Sequence, residues 1–330
     1  MTERDATSGF VSPRVGEPGP VTPSEQATVE RSVIVAGFDG SAAAERAVMW
    51  AAREASGQER GLAVMQALGL PVLPDSTSTP AGWISPQVLD ADEQEVLLAH
   101  AQSELDRVAE ACRSAYPGLE VVTRLLTGRG SETLAEAASD ARELVIGPSG
   151  RSGLPRVLLG STAAELLQSY TRPIVIVRQA EDQPEGRHVV VGADGSPTSS
   201  AAVEFAFDFA DRHGLDLVAV HAWSDLPLDA MNPVGPWDNT WVDIQEKATQ
   251  AFEESLTEHR QRHPDVTVRQ LVTPDRPAHA LLDQSEGAAL LVVGSHGRGA
   301  LRRALLGSVS HTVAFHAACP VAIVRPDTEE

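Results

Sequence analysis

The chain is poor in cysteine, poor in positive charge and free of long apolar runs. Two cysteines, Cys112 and Cys319, in 330 residues make no disulfide framework and show no metal-ligand spacing. Both read as small buried apolar side chains in a reducing compartment. Lys and Arg number 26 against 46 Asp and Glu, a formal net charge of −20. That balance excludes a sequence-independent nucleic-acid binder and a partner of anionic membranes, since both roles demand positive charge. No run of about 18 apolar residues is present, so no membrane span is expected. The N-terminus lacks the basic head and apolar core of a secretory leader. A cytoplasmic location is the expectation.

What the chain has is 42% apolar residues, enough for substantial cores, and length for roughly two domains. It also has a glycine pattern that occurs twice. Gly147-Pro148-Ser149-Gly150 is followed after nine residues by Gly160-Ser161, and Gly294-Ser295-His296-Gly297 after nine residues by Gly307-Ser308. Each copy follows an apolar run (Leu144-Val145-Ile146; Leu290 to Val293) and precedes a helical pattern. Such a turn between a buried strand and a helix start suits phosphate. Glycine admits close approach of the backbone, and the unpaired N–H groups of the first helical turn face the anion. A lone Gly-x-x-Gly more often just makes a turn; the fixed spacing to Gly-Ser and the duplication favour the site. Neither copy is a GxxxxGK(S/T) loop, for no lysine follows the glycines, and neither is GxGxxG after the first strand.

The rest of the chain repeats in step with these loops. Residues 1–30, rich in Pro, Gly, Ser, Thr and Glu without periodicity, read as disordered. The first domain spans 31–178, a polar linker 179–187, the second domain 188–326 and a short tail 327–330. In the first domain strands are expected at 32–36, 61–67, 119–126, 144–146 and 173–177. Helices are expected from Ser41 (as cap) to 56, at 90–115, at 131–141 with Ser131 as cap, and after Ser161. In the second domain strands are expected at 188–191, 215–222, 266–272, 289–293 and 320–324, with helices at 199–213, 243–262, 278–285 and from Ser308. Apolar strands alternating with helices imply a parallel sheet covered on both faces. The fold class is therefore α/β: two tandem Rossmann-like doubly wound domains, each with a five-stranded parallel sheet. Ligands on such sheets bind beyond the carboxyl ends of the strands, where the strand order reverses. Asp39 and Asp194, each in a turn after its domain's first strand, lie at that end. There an aspartate can accept from a ribose hydroxyl or an adenine amino group, or simply close the Asp-Gly turn.

Some residues invite weaker readings. His296 sits in the second loop where the first has Ser149, which argues against shared acid–base chemistry. His221, the counterpart of Gln66, reads as a strand-end residue bonded to backbone. Trp223, Trp237 and Trp241 can cover a base but more often anchor a core or interface.

At these residues the chain resembles a tandem universal stress protein of the ATP-binding type, whose signature G-x2-G-x9-G-S/T both copies match over a likeness spanning residues 32–326. The resemblance implies the adenine nucleotide α-hydrolase-like strand order and ATP with Mg2+ in each half. It places base and ribose contacts at Gly37, Asp39 and Ala67, and at Gly192, Ala193, Asp194 and Ala222. It places phosphate contacts at Gly147, Gly150, Arg151, Gly160, Ser161 and Thr162, and in the second half at Gly294, Gly297, Arg298, Gly307, Ser308, Val309 and Ser310. Gly153, Val293, His296 and Gly299 complete the implied nucleotide sites. No catalytic residue and no side-chain metal cluster is implied, so ATP turnover is expected to be slow or absent. The function implied is regulatory nucleotide binding in a stress response. Alternatives are a nucleotide-cleaving or nucleotidyl-transferring enzyme of the α-hydrolase group, and a nucleotide-free dimer scaffold. Two departures fall in the first half: Phe38 stands where the second has Ala193, and Pro148 removes an N–H available to an anion. The closing strands Ile174–Val177 and Val321–Val324, apolar and at a sheet edge, are expected to pair within the chain, between chains of a homodimer, or both.

Overall fold

A computed structural model describes residues 33–69, 90–150, 159–178, 188–222, 239–297 and 306–326. The expected disordered segment 1–30, linker 179–187 and tail 327–330 lie outside the described residues. In the first half the elements are β1 (Ile34–Gly37), α1 (Ala42–Gly57), β2 (Leu62–Leu68), α2 (Ala91–Ala115), β3 (Val121–Thr127), α3 (Gly130–Ala137), β4 (Glu143–Ile146), α4 (Ser161–Ser169) and β5 (Ile174–Ile176). The second half repeats them as β6 (His188–Gly192), α5 (Pro197–His213), β7 (Asp216–Ala222), α6 (Asn239–Arg262), β8 (Val268–Thr273), α7 (Pro277–Ser285), β9 (Leu290–Gly294), α8 (Ser308–His316) and β10 (Val321–Val324).

The helices begin where short polar side chains can serve the open N–H groups. Ser41 Oγ accepts from the Ala44 amide at 3.1 Å and Ser196 Oγ from Ser199 at 3.2 Å. Asp90 and Glu93 form a reciprocal capping box at the head of α2. Ser131 does not cap α3: the helix starts at Gly130, and the Ser131 hydroxyl donates to Glu165 of α4 instead. That helix also stops at Ala137, short of 141. The Ala138 carbonyl accepts from the Tyr170 hydroxyl at 2.7 Å and from the Ala141 amide at 3.0 Å, turning the chain into β4.

Within each half every strand pairing is parallel, in the order β3-β2-β1-β4-β5 and its repeat. The halves join through their last strands. β5 and β10 run antiparallel with Ile174, Val175 and Ile176 opposite Ile323, Ala322 and Val321, so one ten-stranded sheet crosses the molecule. Of the two pairings expected for these strands, the within-chain one is what the fold contains. Both edges at the centre are thereby closed, and β3 and β8 are the outer strands.

Alternation along the strands feeds two core layers. Ile34 and Ala36 face one, with Ala47, Val48, Leu105, Phe207 and Leu256 from α1, α2, α5 and α6. Val35 faces the other, with Leu134, Leu166, Leu281 and Val313 from α3, α4, α7 and α8. Each fully buried Leu, Ile or Phe among them contributes about 1.5–3 kcal/mol. Across the junction the ring of Trp50 in α1 stacks on Phe209 in α5, centroids 6.2 Å apart. Buried Glu54 beside it pairs with His213 at 3.0 Å and Arg212 at 3.7 Å. No described helix is long and apolar enough to cross a membrane.

Candidate functional site

In each half the strand order reverses between the first and fourth strands, and the chain leaves these two neighbours toward opposite faces of the sheet. Their carboxyl ends therefore open a crevice. In the first half it is a cavity of roughly 190 Å³. Gly37 at the end of β1 and Phe38 and Asp39 just beyond it line it, with Ala67 in β2, Ile146 at the end of β4, and Gly147, Ser149 and Gly150 after it. Gly160, Ser161, Thr162 and Ala163 at the start of α4 complete that wall.

Asp39 holds this crevice in shape. Its Oδ1 accepts from the Ser41 amide at 3.0 Å, closing a turn in which Gly40 takes the left-handed φ of 81°. Its Oδ2 is aimed at the glycine loop, against the place where a β-carbon on Gly150 would stand. The second half repeats the device: Asp194 Oδ1 accepts from Ser196 at 2.9 Å, and Oδ2 lies 2.7 Å from an ideal β-carbon on Gly297. Asp39 and Asp194 thus both close the Asp-Gly turn and turn their second carboxylate oxygen toward the loop.

The two glycines of each loop do different work. A β-carbon on Gly147 would meet the Ala43 carbonyl carbon at 3.0 Å, and one on Gly294 the Thr198 carbonyl oxygen at 2.9 Å. These first glycines let the loop pack on the first turn of α1 or α5. The second ones, Gly150 and Gly297, keep space clear before the aspartate. The loop closes on itself through Gly160 N donating to Pro148 O at 2.7 Å and Gly307 N to Ser295 O at 2.8 Å. No side chain caps α4 or α8, and the exposed Ser161 and Ser308 stand at their uncapped starts. The amides of these first turns are the groups left to meet an anion.

Of the two departures in the first half, Phe38 forms part of the crevice wall and Pro148 does not. The amide of Ser295, the counterpart of Pro148, donates to the Val324 carbonyl at 2.9 Å, so the N–H that Pro148 lacks is not one that faces a ligand. Phe38 is 3% exposed, with its ring in the core layer against α1.

Other residues named from sequence are placed as follows. Gly192 ends β6 and Ala193 follows it before Asp194; a β-carbon on Gly192 would touch Leu281 at 3.0 Å. Ala193 donates its amide to Val220 at 3.0 Å. His221 Nδ1 donates to the Ala193 carbonyl at 2.7 Å, and its ring stacks on Phe252. Ala222 is half-buried at the end of β7, as Ala67 is in β2. Val293 and Val309 pack into the core layer. Ser310 is buried and donates its hydroxyl to the Gly294 carbonyl at 2.6 Å, bracing the loop. The His296 ring is held by Ser295 Oγ at 3.0 Å from Nδ1, and its buried Nε2 meets no partner among the described residues. Arg151, Gly153, Arg298 and Gly299 lie outside the described residues, as do Trp223, Trp237 and the side chain of Trp241.

Gly130 and Leu134 of α3, which also line the cavity, were not anticipated. The signal for Gly130 is a second glycine just past the end of β3, close against Thr162, whose Oγ1 would stand 3.4 Å from a β-carbon there. Beside it the Ser131 hydroxyl, with Arg129, holds the Glu165 carboxyl below the usual range and ties α3 to α4. Among the described residues no group of three or more His, Cys, Asp or Glu side chains can hold a metal.

The model of the universal stress protein family matches this chain twice, over residues 30–178 and 186–325. A universal stress protein of Mycolicibacterium smegmatis is 38% identical over 303 residues, covering 91% of this chain and 99% of that protein. One of Mycobacterium tuberculosis is 36% identical over 306 residues, covering 88% and 94%. The crystal structure of a universal stress protein from Archaeoglobus fulgidus superposes with a TM-score of 0.64 at 19% identity, covering 89% of this chain and 98% of that one. The last likeness is one of fold.

Proposed function

The chain belongs to the universal stress protein family, and on that premise we propose that it is a cytoplasmic regulatory protein that binds an adenine nucleotide, ATP with Mg2+, in each half. The observation that carries this is the pairing, found twice, of an uncapped helix start with a carboxylate aimed at a glycine loop. The amides at Ser161 and Thr162, and at Ser308 and Val309, suit phosphate oxygens; the hydroxyls of Ser161 and Ser308 add donors. Asp39 Oδ2 and Asp194 Oδ2 suit a ribose hydroxyl, and the small Ala67 and Ala222 leave room for a base. The cavity of roughly 190 Å³ is below the roughly 300–1,000 Å³ of pockets that enclose whole drug-sized ligands, so it suits the phosphate and ribose part.

Mg2+ fits as a cation held mainly by phosphates, the habit of this ion; the residues offered to it are Asp39 with Ser161 and Asp194 with Ser308. Bound there it neutralises phosphate charge beside an aspartate. The chain's own groups bind and orient the nucleotide, and no described side chain is poised as a base on an attacking water. The output is a nucleotide-dependent change of shape or partner, with turnover slow.

Mass spectrometry of nucleotide released from denatured protein, with calorimetric titration of MgATP, tests this. Two sites per chain and negligible phosphate release are expected. Failure to bind at either cleft overturns the proposal, and rapid AMP formation with an acceptor replaces it with the transferase alternative.

A further inference from the structure

Two arginines cross the junction between the halves in opposite directions. Arg178, just beyond β5, is buried and donates from Nε (3.0 Å) and Nη2 (2.6 Å) to the carbonyl of Ala314 in α8. Arg325, just beyond β10, donates from Nη2 to the carbonyl of Leu167 in α4 at 2.5 Å. The donors occupy equivalent places in the duplicated pattern, Val177-Arg178 and Val324-Arg325. So do the acceptors, each seven residues beyond Gly160 or Gly307.

Each acceptor belongs to the last turn of its helix. The Tyr170 amide closes on Leu166 and the Ala317 amide on Val313, so Leu167 and Ala314 offer the next carbonyls, where the helix has run out of donors. A guanidinium from the other half supplies the donor, and its charge opposes the negative end of the helix dipole. Desolvation lowers the pKa of both guanidiniums, and an arginine so placed stays charged.

The opposite ends of α4 and α8 are the uncapped starts that face the clefts. Each helix has nine residues, about 13 Å of rigid rod, so fixing its last turn fixes its first. The main chain on each arginine's side is tied to its own cleft. The Val177 amide donates at 2.9 Å to the carbonyl of Ile146, which lines the first cavity. In the second half the Ser295 amide of the glycine loop donates to Val324 at 2.9 Å.

We propose that Arg178 and Arg325 are reciprocal positioning residues: each reaches from one half to hold the phosphate-facing helix of the other, and the two nucleotide clefts are coupled through them. This rests on the nucleotide reading above.

Two measurements on the full chain test it. Amide hydrogen exchange without nucleotide reads the clamp directly. Arg178→Met speeds exchange in α8 and leaves α4 unchanged, and Arg325→Met does the reverse. MgATP affinity is then read with one cleft blocked, the first by Gly150→Val or the second by Gly297→Val. Arg178→Met weakens binding at the second cleft by roughly tenfold, the scale of one lost hydrogen bond from a charged donor, and leaves the first unchanged. Arg325→Met shows the mirror pattern. Arg178→Lys, which keeps a cationic donor for Ala314, recovers most of the affinity; Arg178→Gln, shorter and uncharged, stands in for the loss if the Met variant does not fold. Equal loss at both clefts, loss in the arginine's own half, or no change at either overturns the proposal. Wild-type protein that takes up no MgATP overturns the nucleotide reading instead, and the exchange pattern alone then decides whether the clamps exist.

Discussion

The Oδ2 oxygen of Asp194 lies 2.7 Å from the point where a β-carbon on Gly297 would stand. The other oxygen of that carboxylate is held by the Ser196 amide at 2.9 Å, so the side chain cannot swing aside without losing a bond. Gly297→Ala therefore acts on the cleft more than on the fold. Its expected stability loss is about 1 kcal/mol, the scale of one hydrogen bond. MgATP affinity in the second half falls at least tenfold in a titration with the first cleft blocked. Unchanged affinity would separate this aspartate from the ligand.

Gly294→Ala meets main chain instead, the Thr198 carbonyl at 2.9 Å. Backbone in the first turn of α5 has little room to give, and overpacking of this kind costs about 1–3 kcal/mol. Urea denaturation should show a clearly lower midpoint for Gly294→Ala than for Gly297→Ala. Equal midpoints would place the two glycines in one role.

Glu143, at the head of β4, is 1% exposed, and its counterpart in the second half is Leu290. Burial, and then the neighbouring Glu54 carboxylate, push its pKa up to about 7, while Arg142, Arg212 and Arg60 pull the other way. The native protein thus keeps a proton that the unfolded chain gives up within the ordinary carboxylate range. Its contribution to stability is full at low pH and is lost as pH rises through about 7. A shift of this size corresponds to about 3 kcal/mol. Glu143→Leu should remove that slope, narrowing the difference between unfolding free energies at about pH 5 and about pH 8. A variant with the wild-type slope would assign the proton elsewhere.

Ala322 faces Val175 where β10 meets β5, and both are fully buried. Ala322→Asp places an unpaired carboxylate in that seam, at a penalty of several kcal/mol. The seam should part, turning β5 and β10 into open apolar edges. Size-exclusion chromatography is expected to show concentration-dependent self-association of the variant. A monomer with unaltered thermal unfolding would mean the junction rests on the Glu54, Trp50 and arginine contacts instead.

Much of this was legible in the chain because it depends on neighbours in sequence. Continuous apolar runs became the central strands, buried on both faces, and Ser41, Asp90 and the two Gly-Ser pairs marked helix starts near where they occur. Asp39 and Asp194 could be placed at the crevice from the strand-to-helix rhythm alone. Ser131 misled because its partner, Glu165, comes from another helix. Gly130 was overlooked because the wall it forms depends on how α3 leans on α4. Pro148 looked like a lost anion contact only until the Ser295 amide was seen to point at Val324.

The residue order by itself settled the duplication, the α/β rhythm and the two glycine loops at strand ends, for these follow from local periodicity and backbone freedom. Tertiary structure alone decided that the closing strands pair with each other and antiparallel, which glycine of each loop serves packing and which faces the aspartate, and that Arg178 and Arg325 trade helices. Each of those outcomes joins atoms from segments far apart in the chain, and only the packed sheet brings them within bonding distance.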